Sequence, residues 1–455
     1  MYFRRILCWG LLLVLSFLSA CTPVSSDLPQ NVPQTNIDSG EVSPPPDSTE
    51  EKPDRTGFRN LIIPAQFGYV IWNNMAFSRE YVTDLSTGEV FSLCSNPLCG
   101  EKHDELCVIN IMHNYSFFAV CPDEGSNDMI IYASNRENRY VNGVVEAVDS
   151  LRRYNFSTGE QEILLDNLKL QGTAWRMDPE TKIIYYMAYE VNEEDESELG
   201  LYTLDTVTGE SCRLGVTPDL VVPMAVVGEY VYAFAKHGTC CRFIPDEDSF
   251  ELEMLPYMGY VYNGYLYIEE RKEMLQCPVP DEMLPYCEKY NALPYGSFFN
   301  VDLYRLDLIK ENSEPELLIE NAYRTAINSN YFCYSTLAPT YRGSYLKHYG
   351  RFGEELYRYD DPACPPNATL VHAFSPNDGT VHVLRADTME PIATVSTDKY
   401  DIEEMVSGVY TSGIVVDLYD YSIESILSGD NHFKAYIPFN KPVLTEEDAV
   451  RIQLN

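Results

Sequence analysis

The sequence predicts an all-β protein, from a hairpin pattern that recurs along the chain and from the apolar strands that stand ahead of it. One copy is Tyr81-Val82-Thr83-Asp84-Leu85-Ser86-Thr87-Gly88-Glu89, and Tyr202-Thr203-Leu204-Asp205-Thr206-Val207-Thr208-Gly209-Glu210 nearly repeats it. Tyr154-Asn155-Phe156-Ser157-Thr158-Gly159-Glu160 is a shortened copy. Tyr304-Arg305-Leu306-Asp307 and Tyr357-Arg358-Tyr359-Asp360 keep the start and lose Thr-Gly, while Leu384-Arg385-Ala386-Asp387-Thr388-Met389-Glu390 keeps the spacing with weaker residues. The run up to each aspartate alternates and carries β-formers, which reads as a strand. Asp and Thr-Gly then make a tight reversal, with glycine supplying the positive φ. A returning strand follows, such as Val90–Leu93 or Glu162–Leu165. Ahead of most copies stands another apolar strand: Gly68–Trp72, Ile183–Met187, Glu229–Phe234, Gly264–Ile268 and Asn330–Tyr334. A weaker hairpin fits Cys241–Leu255.

Units of about four strands recurring roughly every 40–60 residues are the signature of a β-propeller blade. The expectation is a propeller of about seven four-stranded blades, with six or eight blades, or two stacked β-sandwiches, as alternatives. Three stretches interrupt the pattern. Met129–Val148 reads as an insertion, Glu193–Glu196 as an acidic loop, and Arg271–Gly296 as a Pro-, Tyr- and Cys-bearing excursion. In propellers such insertions sit on one face and often carry recognition.

Composition agrees. Hydrophobic residues make up 45% of the 455, enough for a core and against global disorder. The 35 tyrosines against 3 tryptophans suit half-buried strands, where the ring packs and the hydroxyl stays wet. Formal net charge is −37, which repels phosphate backbones and excludes nucleic acid as the expected partner.

The chain starts with Arg4 and Arg5, an apolar run from Ile6 to Leu18, then Ser19-Ala20-Cys21. A basic end, an apolar middle and small residues before a cut site make a secretory signal. A cysteine directly after the small residues resembles the bacterial lipobox. That resemblance implies a diacylglycerol on Cys21, cleavage after Ala20, and anchoring at the extracytoplasmic face of the cell membrane. From Thr22 to about Arg55 the chain is rich in Pro, Ser, Thr, Asp and Glu and cannot bury enough surface to fold. The expected organisation is a signal peptide over 1–20, a lipidated tether over 21–57, the propeller over 58–440 and a tail over 441–455.

The pairing of a Tyr-Tyr strand with a later Asp-x-x-Thr-Gly-Glu hairpin resembles bacterial surface propellers of the TolB-like and YVTN-like type. Phe374-Ser375-Pro376-Asn377-Asp378-Gly379-Thr380 is similar to their Ser-Pro-Asp-Gly strand entry, with Asn377 inserted. The resemblance implies a binding module with no assigned chemistry.

Thirteen cysteines, less Cys8 of the signal and Cys21, leave eleven, an odd number in an exported chain. The sharpest cluster is Cys94, Cys99, His103 and Cys107. Three sulfurs and an imidazole suit a structural zinc. The oxidised alternative is disulfides among Cys94, Cys99, Cys107 and Cys121. Cys277 and Cys287 lie in one excursion and are expected to form a disulfide that restrains it. Cys240 and Cys241 are adjacent, and a vicinal disulfide would be a strained ring, so each is expected to pair elsewhere or stay free. Cys212, Cys333 and Cys364 read as buried free thiols.

Hydrolase motifs are missing: there is no Gly-x-Ser-x-Gly and no His-Glu-x-x-His. Ser344–Lys347 and Ser396–Lys399 match Ser-x-x-Lys without companion motifs and read as chance. Asp246-Glu247-Asp248 and Glu193–Glu196 lack an EF-hand frame. The expected function is a non-enzymatic binding platform, lipid-anchored outside the cell, for a protein, peptide or glycan. A glycan-active hydrolase at the channel, and a structural or sensory subunit of an envelope complex, are the alternatives.

Overall fold

The computed structural model describes residues 58–61, 69–72, 75–78, 81–92, 115–122, 129–141, 144–155, 160–171, 175–191, 197–217, 220–235, 238–245, 251–310, 312–327, 330–397, 400–406 and 413–452. From Gly57 onward these form one compact unit.

A short strand β1 (Phe58–Asn60) leads in, and antiparallel meanders follow in chain order. The first is β2 (Tyr69–Trp72), β3 (Met75–Ser78), β4 (Tyr81–Asp84) and β5 (Val90–Ser92). The second is β6 (Tyr115–Pro122), β7 (Met129–Val141), β8 (Val144–Asn155) and β9 (Gln161–Leu168). The third is β10 (Arg176–Met177), β11 (Ile183–Val191), β12 (Ser197–Asp205) and β13 (Ser211–Val216).

Next comes a twelve-stranded sheet. It contains β14 (Val222–Val227), β15 (Tyr230–Phe234), β16 (Thr239–Phe243), β17 (Glu253–Tyr262), β18 (Tyr265–Pro278), β19 (Tyr295–Asp307), β20 (Glu316–Ile327) and β21 (Tyr331–Thr336). This sheet is several meanders run together. The first half of β17 pairs with β16 (Arg242↔Glu253), and its second half opens the next meander against β18 (Tyr262↔Tyr265). β20 does the same between β19 (Arg305↔Glu316) and β21 (Ile327↔Phe332). An outer strand thus continues without a break as the next inner strand.

Between β21 and its partner lies an accessory sheet of β22 (Thr340–Gly350), β23 (Gly353–Arg358) and β24 (Thr369–Ser375), ordered β23-β22-β24. The main sheet resumes with β25 (Thr380–Arg385) and β26 (Pro391–Ser396). The last meander is β27 (Asp401–Val406), β28 (Gly413–Tyr419) and β29 (His432–Pro438), closed by β31 (Val450–Arg451). β30 (Val443–Thr445) runs parallel to β26.

Apolar packing between consecutive sheets builds the core. In β11, Ile184, Tyr186 and Ala188 pack toward the second meander with Ile130, Tyr132 and Leu151. The alternate residues Tyr185 and Met187 pack toward β14–β16 with Val226, Val231 and Cys241. This is the period-two alternation of a strand buried on both faces. Ala76 and Leu85 of the first meander pack against Val415, Tyr436 and Ile452 of the last. Sheets stacked face to face in chain order, with the first against the last, are the architecture of a β-propeller.

Among the described residues, the reversals at Asp84 and Asp205 form as the sequence predicts. In the copy at Asp205, the carboxylate accepts from the N–H groups of Val207 (2.8 Å) and Thr208 (3.1 Å). Gly209 takes φ +75° and donates to the Asp205 carbonyl at 2.8 Å. Asp84 repeats the arrangement with Ser86 and Gly88. In the weaker copy Met389 holds the glycine position at φ +60°, so the frame forces a side chain into the left-handed region.

Two expectations need correction. Tyr357-Arg358-Tyr359-Asp360 is no blade hairpin, because Tyr357 and Arg358 end β23 of the accessory sheet, where they pair with β22. The expected tail over 441–455 is folded as far as it is described, because Val443–Thr445 and Val450–Arg451 complete sheet edges and Leu444 and Ile452 are buried.

The connections between second and third strands carry the additions. These are the long β7–β8 ribbon, the β18–β19 extension bearing α1 (Leu284–Tyr290), the accessory sheet, and α2 (Ile423–Ser428) between β28 and β29. In an antiparallel meander these connections share one end of the sheet, and the first-to-second and third-to-fourth turns share the other. The additions therefore gather on one face of the disc, the insertion face. β1 marks the opposite one. Arg59 pairs with Asp178 (2.7 Å) in the β10–β11 turn, β1 lies on β14 beside its turn (Phe58↔Val227), and Asn60 bonds Asn263 (2.7 Å) in the β17–β18 turn.

Leu201→Ala should cost about 2–5 kcal/mol in urea unfolding, since Leu201 is fully buried between sheets. Val207→Ala, on an exposed turn, should change stability by less than about 0.5 kcal/mol. The hairpin bonds hold the Asp84 and Asp205 carboxyls below their ordinary 3.8. Their contribution is therefore complete above that value and lost as pH falls through the lowered folded one. Asp205→Asn should remove part of the stability at neutral pH and make its decline below about pH 4 shallower than wild type.

Candidate functional site

Additions from three consecutive meanders meet around one cleft of about 210 Å³. Glu282 and Met283 come from the β18–β19 extension, and Tyr341, Gly343, Ser344, Arg358 and Tyr359 from the accessory sheet and its edge. Ile423 comes from α2. The accessory sheet is held by its own apolar core. Leu346 and Leu370 pack against Val279, Met283 and Cys287 of the α1 excursion, so two stretches distant in sequence fold as one module.

Register sets the chemistry of this module. Ser344 of β22 lies directly opposite His372 of β24, and Ser344 Oγ is 2.6 Å from His372 Nδ1. Tyr341 Oη is 2.7 Å from Ser344 Oγ, and His372 Nε2 is 3.5 Å from Cys287 Sγ. The Leu293 carbonyl accepts a hydrogen bond from the ring. In the tautomer that carries its proton on Nε2, Nδ1 is the acceptor for the serine proton. Burial pushes the His372 imidazole below its ordinary 6.5, against the opposing pull of the Leu293 carbonyl, so at neutral pH the ring is an uncharged base. Burial also raises the Tyr341 hydroxyl and the Cys287 thiol, which keep their protons.

A β-bulge between Tyr341 and Gly343 turns the strand just ahead of Ser344. Gly343 has φ +149°, and a Cβ there would stand 2.5 Å from Ile423 Cγ1. Glycine is what allows α2 to close that wall. Arg358 reaches Glu424 of α2 at 3.3 Å, tying the rim together.

Buried carboxylates elsewhere are committed to backbone and cations. Asp149 pairs with Arg136 (2.8 Å) and accepts from the Leu170 N–H (2.9 Å). Asp302 pairs with Lys272 and accepts from the Asn321 N–H (3.1 Å). Both lie on a third strand and fix the chain entering the next strand. Asp401 accepts from Ser375 and faces Arg342 at 3.8 Å, with burial raising its carboxyl.

The cysteine expectations resolve unevenly. Cys21, Cys94, Cys99, His103 and Cys107 lie outside the described residues, and of Cys121 only its place in β6 is described. Among the described residues no three His, Cys, Asp or Glu gather as a metal set. The disulfide expected between Cys277 and Cys287 is not formed in the structure. Cys277 Sγ lies at the Pro339 carbonyl (3.5 Å), whereas Cys287 faces inward from α1 onto His372. Cys240 and Cys241 are free thiols on opposite faces of β16, packed in two different cores, so strand alternation itself forbids a vicinal bridge. Ser-x-x-Lys at Ser344 has no chemical meaning on a strand, because Lys347 faces the other way and pairs with Glu354 at 2.6 Å. Sequence reading passed over His372 because its partner is 28 residues away and only the sheet register joins them.

No protein-family model matches the chain, and no curated protein matches it. Solved propellers do. The β-propeller domain of the Trilobed protease from Pyrococcus furiosus is 12% identical, with TM-score 0.28, over 70% of this chain and 95% of that one. The periplasmic gluconolactonase PpgL of Pseudomonas aeruginosa is 11% identical, with TM-score 0.34, over 87% and 95%. YjhT is 10% identical, with TM-score 0.30, over 86% and 98%. At these values the likeness concerns fold alone, and the propeller assignment rests on the sheet order and packing above.

Burial raises the thiols of Cys240 to about 12 and Cys241 to about 11. Iodoacetamide at pH 8 should therefore leave both unmodified in the native protein and alkylate both in urea, with no change in mass on prior reduction at these positions. Native-state alkylation of either would show that β16 opens readily.

Proposed function

We propose that this protein is a lipid-anchored, extracytoplasmic β-propeller of about seven blades whose insertion face is a binding platform for a protein, peptide or glycan. The supporting observation is the segregation of the two faces. β1, which follows directly on the expected tether, is pinned to the turns of the hairpin face by Arg59–Asp178 and Asn60–Asn263. The additions sit on the other face, where α1, the accessory sheet and α2 converge. A tether leaving from one face of a rigid disc presents the other outward, away from the membrane. The strongly acidic composition supports a partner that is neither nucleic acid nor an anionic lipid surface.

The tips of the additions are exposed and aromatic: Phe352 at the β22–β23 turn is 93% exposed and Tyr140 at the β7–β8 tip 78%. Val207, on a hairpin-face turn, is 76% exposed and serves as control. With a photo-crosslinking residue at each position on intact cells, Phe352 and Tyr140 should capture a common partner and Val207 should not. Capture from Val207 alone would reverse the assignment of faces. Cys21→Ser should release the protein from the membrane fraction, and retention there would remove the lipid from the reading.

A further inference from the structure

The Ser344–His372 pair goes beyond binding. We propose that Ser344 is a nucleophile for acyl transfer, and that the cleft hydrolyses esters of short carboxylic acids, with His372 as base and Tyr341 as donor to the oxyanion. The parts that such chemistry needs are present together. The serine hydroxyl is 2.6 Å from the Nδ1 of an imidazole, which accepts its proton when the ring carries its own on Nε2. Behind the ring, Cys287 Sγ lies 3.5 Å from Nε2. Tyr341 Oη, at 2.7 Å from the attacking oxygen, is placed to donate to the charge that develops beside it. Ser344 is 1% exposed, and it is one of the cleft-lining residues, so what reaches it comes through the cleft. The cleft volume and the apolar Met283 and Ile423 in its lining fit a short acyl chain, and Arg358 and Glu282 offer charge to a polar alcohol portion.

The step balances without any further reactant than water. Ser344 Oγ attacks the ester carbonyl as His372 Nδ1 takes its proton. The bond from the carbonyl carbon to the alcohol oxygen breaks, and the alcohol leaves with that proton. Water then attacks the Ser344 ester, His372 takes the water's proton, and the carbon–Oγ bond breaks as Ser344 is reprotonated and the acid departs.

The test uses the full folded chain, a tagged fluorophosphonate and p-nitrophenyl acetate. Peptide mass spectrometry of labelled wild type should place the adduct on Ser344. Ser344→Ala should abolish labelling, and His372→Ala should slow it by at least about 100-fold. Tyr341→Phe should lower kcat/KM for the acetate ester by about 10²–10³-fold, mostly through kcat, while circular dichroism stays that of wild type. An unlabelled wild type, an adduct on any other residue, or ester turnover unchanged in Tyr341→Phe would overturn the proposal. The wild-type adduct map decides the question even where a variant fails to fold. The platform reading is separate: partner capture from Phe352 and Tyr140 does not depend on Ser344, so either can fail alone.

Discussion

Burial between successive sheets is the constraint on which the rest of this molecule depends. A four-stranded meander here has two apolar faces, and neither can stay in water. Ile184 and Tyr186 point one way from β11 while Tyr185 and Met187 point the other. Each sheet must therefore have a neighbour on both sides. A stack that also brings the first sheet to the last leaves no apolar face uncovered, which is the role of the contact of Ala76 and Leu85 with Val415, Tyr436 and Ile452. Adjacent Cys240 and Cys241 serve opposite cores for the same reason, and their thiols are packing groups held far from ionisation.

That stacking frees the two ends of the sheets for different uses. On the hairpin face the turns at Asp84, Asp178 and Asp205 repeat one device, an aspartate that satisfies N–H groups of the reversal and a left-handed residue that completes it. Even Met389 is forced into the frame. On the insertion face the connections between second and third strands have grown. Ser344 and His372, 28 residues apart, lie in one accessory sheet, which the α1 excursion covers through Met283 and through Cys287, 85 residues from His372. The module has its own core, so its cleft is carried on rigid strands and not on loose loops.

Charge follows the same division. Buried acids such as Asp149, Asp178 and Asp302 each have a cation and serve the backbone where strands enter or leave a sheet. Asp149 and Asp302 repeat the same job in two different meanders, each accepting from the N–H that follows or ends the returning strand's pairing. Acid that is not engaged in this way contributes little to a fold.

Much of the fold was legible in the sequence because strand alternation and turn chemistry are local. The Asp-Thr-Gly reversals and the Tyr-rich strands needed no tertiary information, and the excursion at Arg271–Gly296 could be marked as an interruption of a regular pattern. Where local chemistry was ambiguous, reading failed. Tyr357-Arg358-Tyr359-Asp360 has the start of a blade hairpin and belongs to the accessory sheet, since a short alternating run does not say which sheet it will join. The closing strand at Val450–Arg451 is too brief to announce itself. The Ser344–His372 contact depends on the pairing register of β22 with β24, and two residues placed opposite by pairing of distant strands leave no periodic signal. The sequence alone determined the strands and their turns, because these rest on neighbouring residues. Tertiary structure decided which faces meet, where the additions gather and which side chains touch, because those rest on packing between segments far apart in the chain.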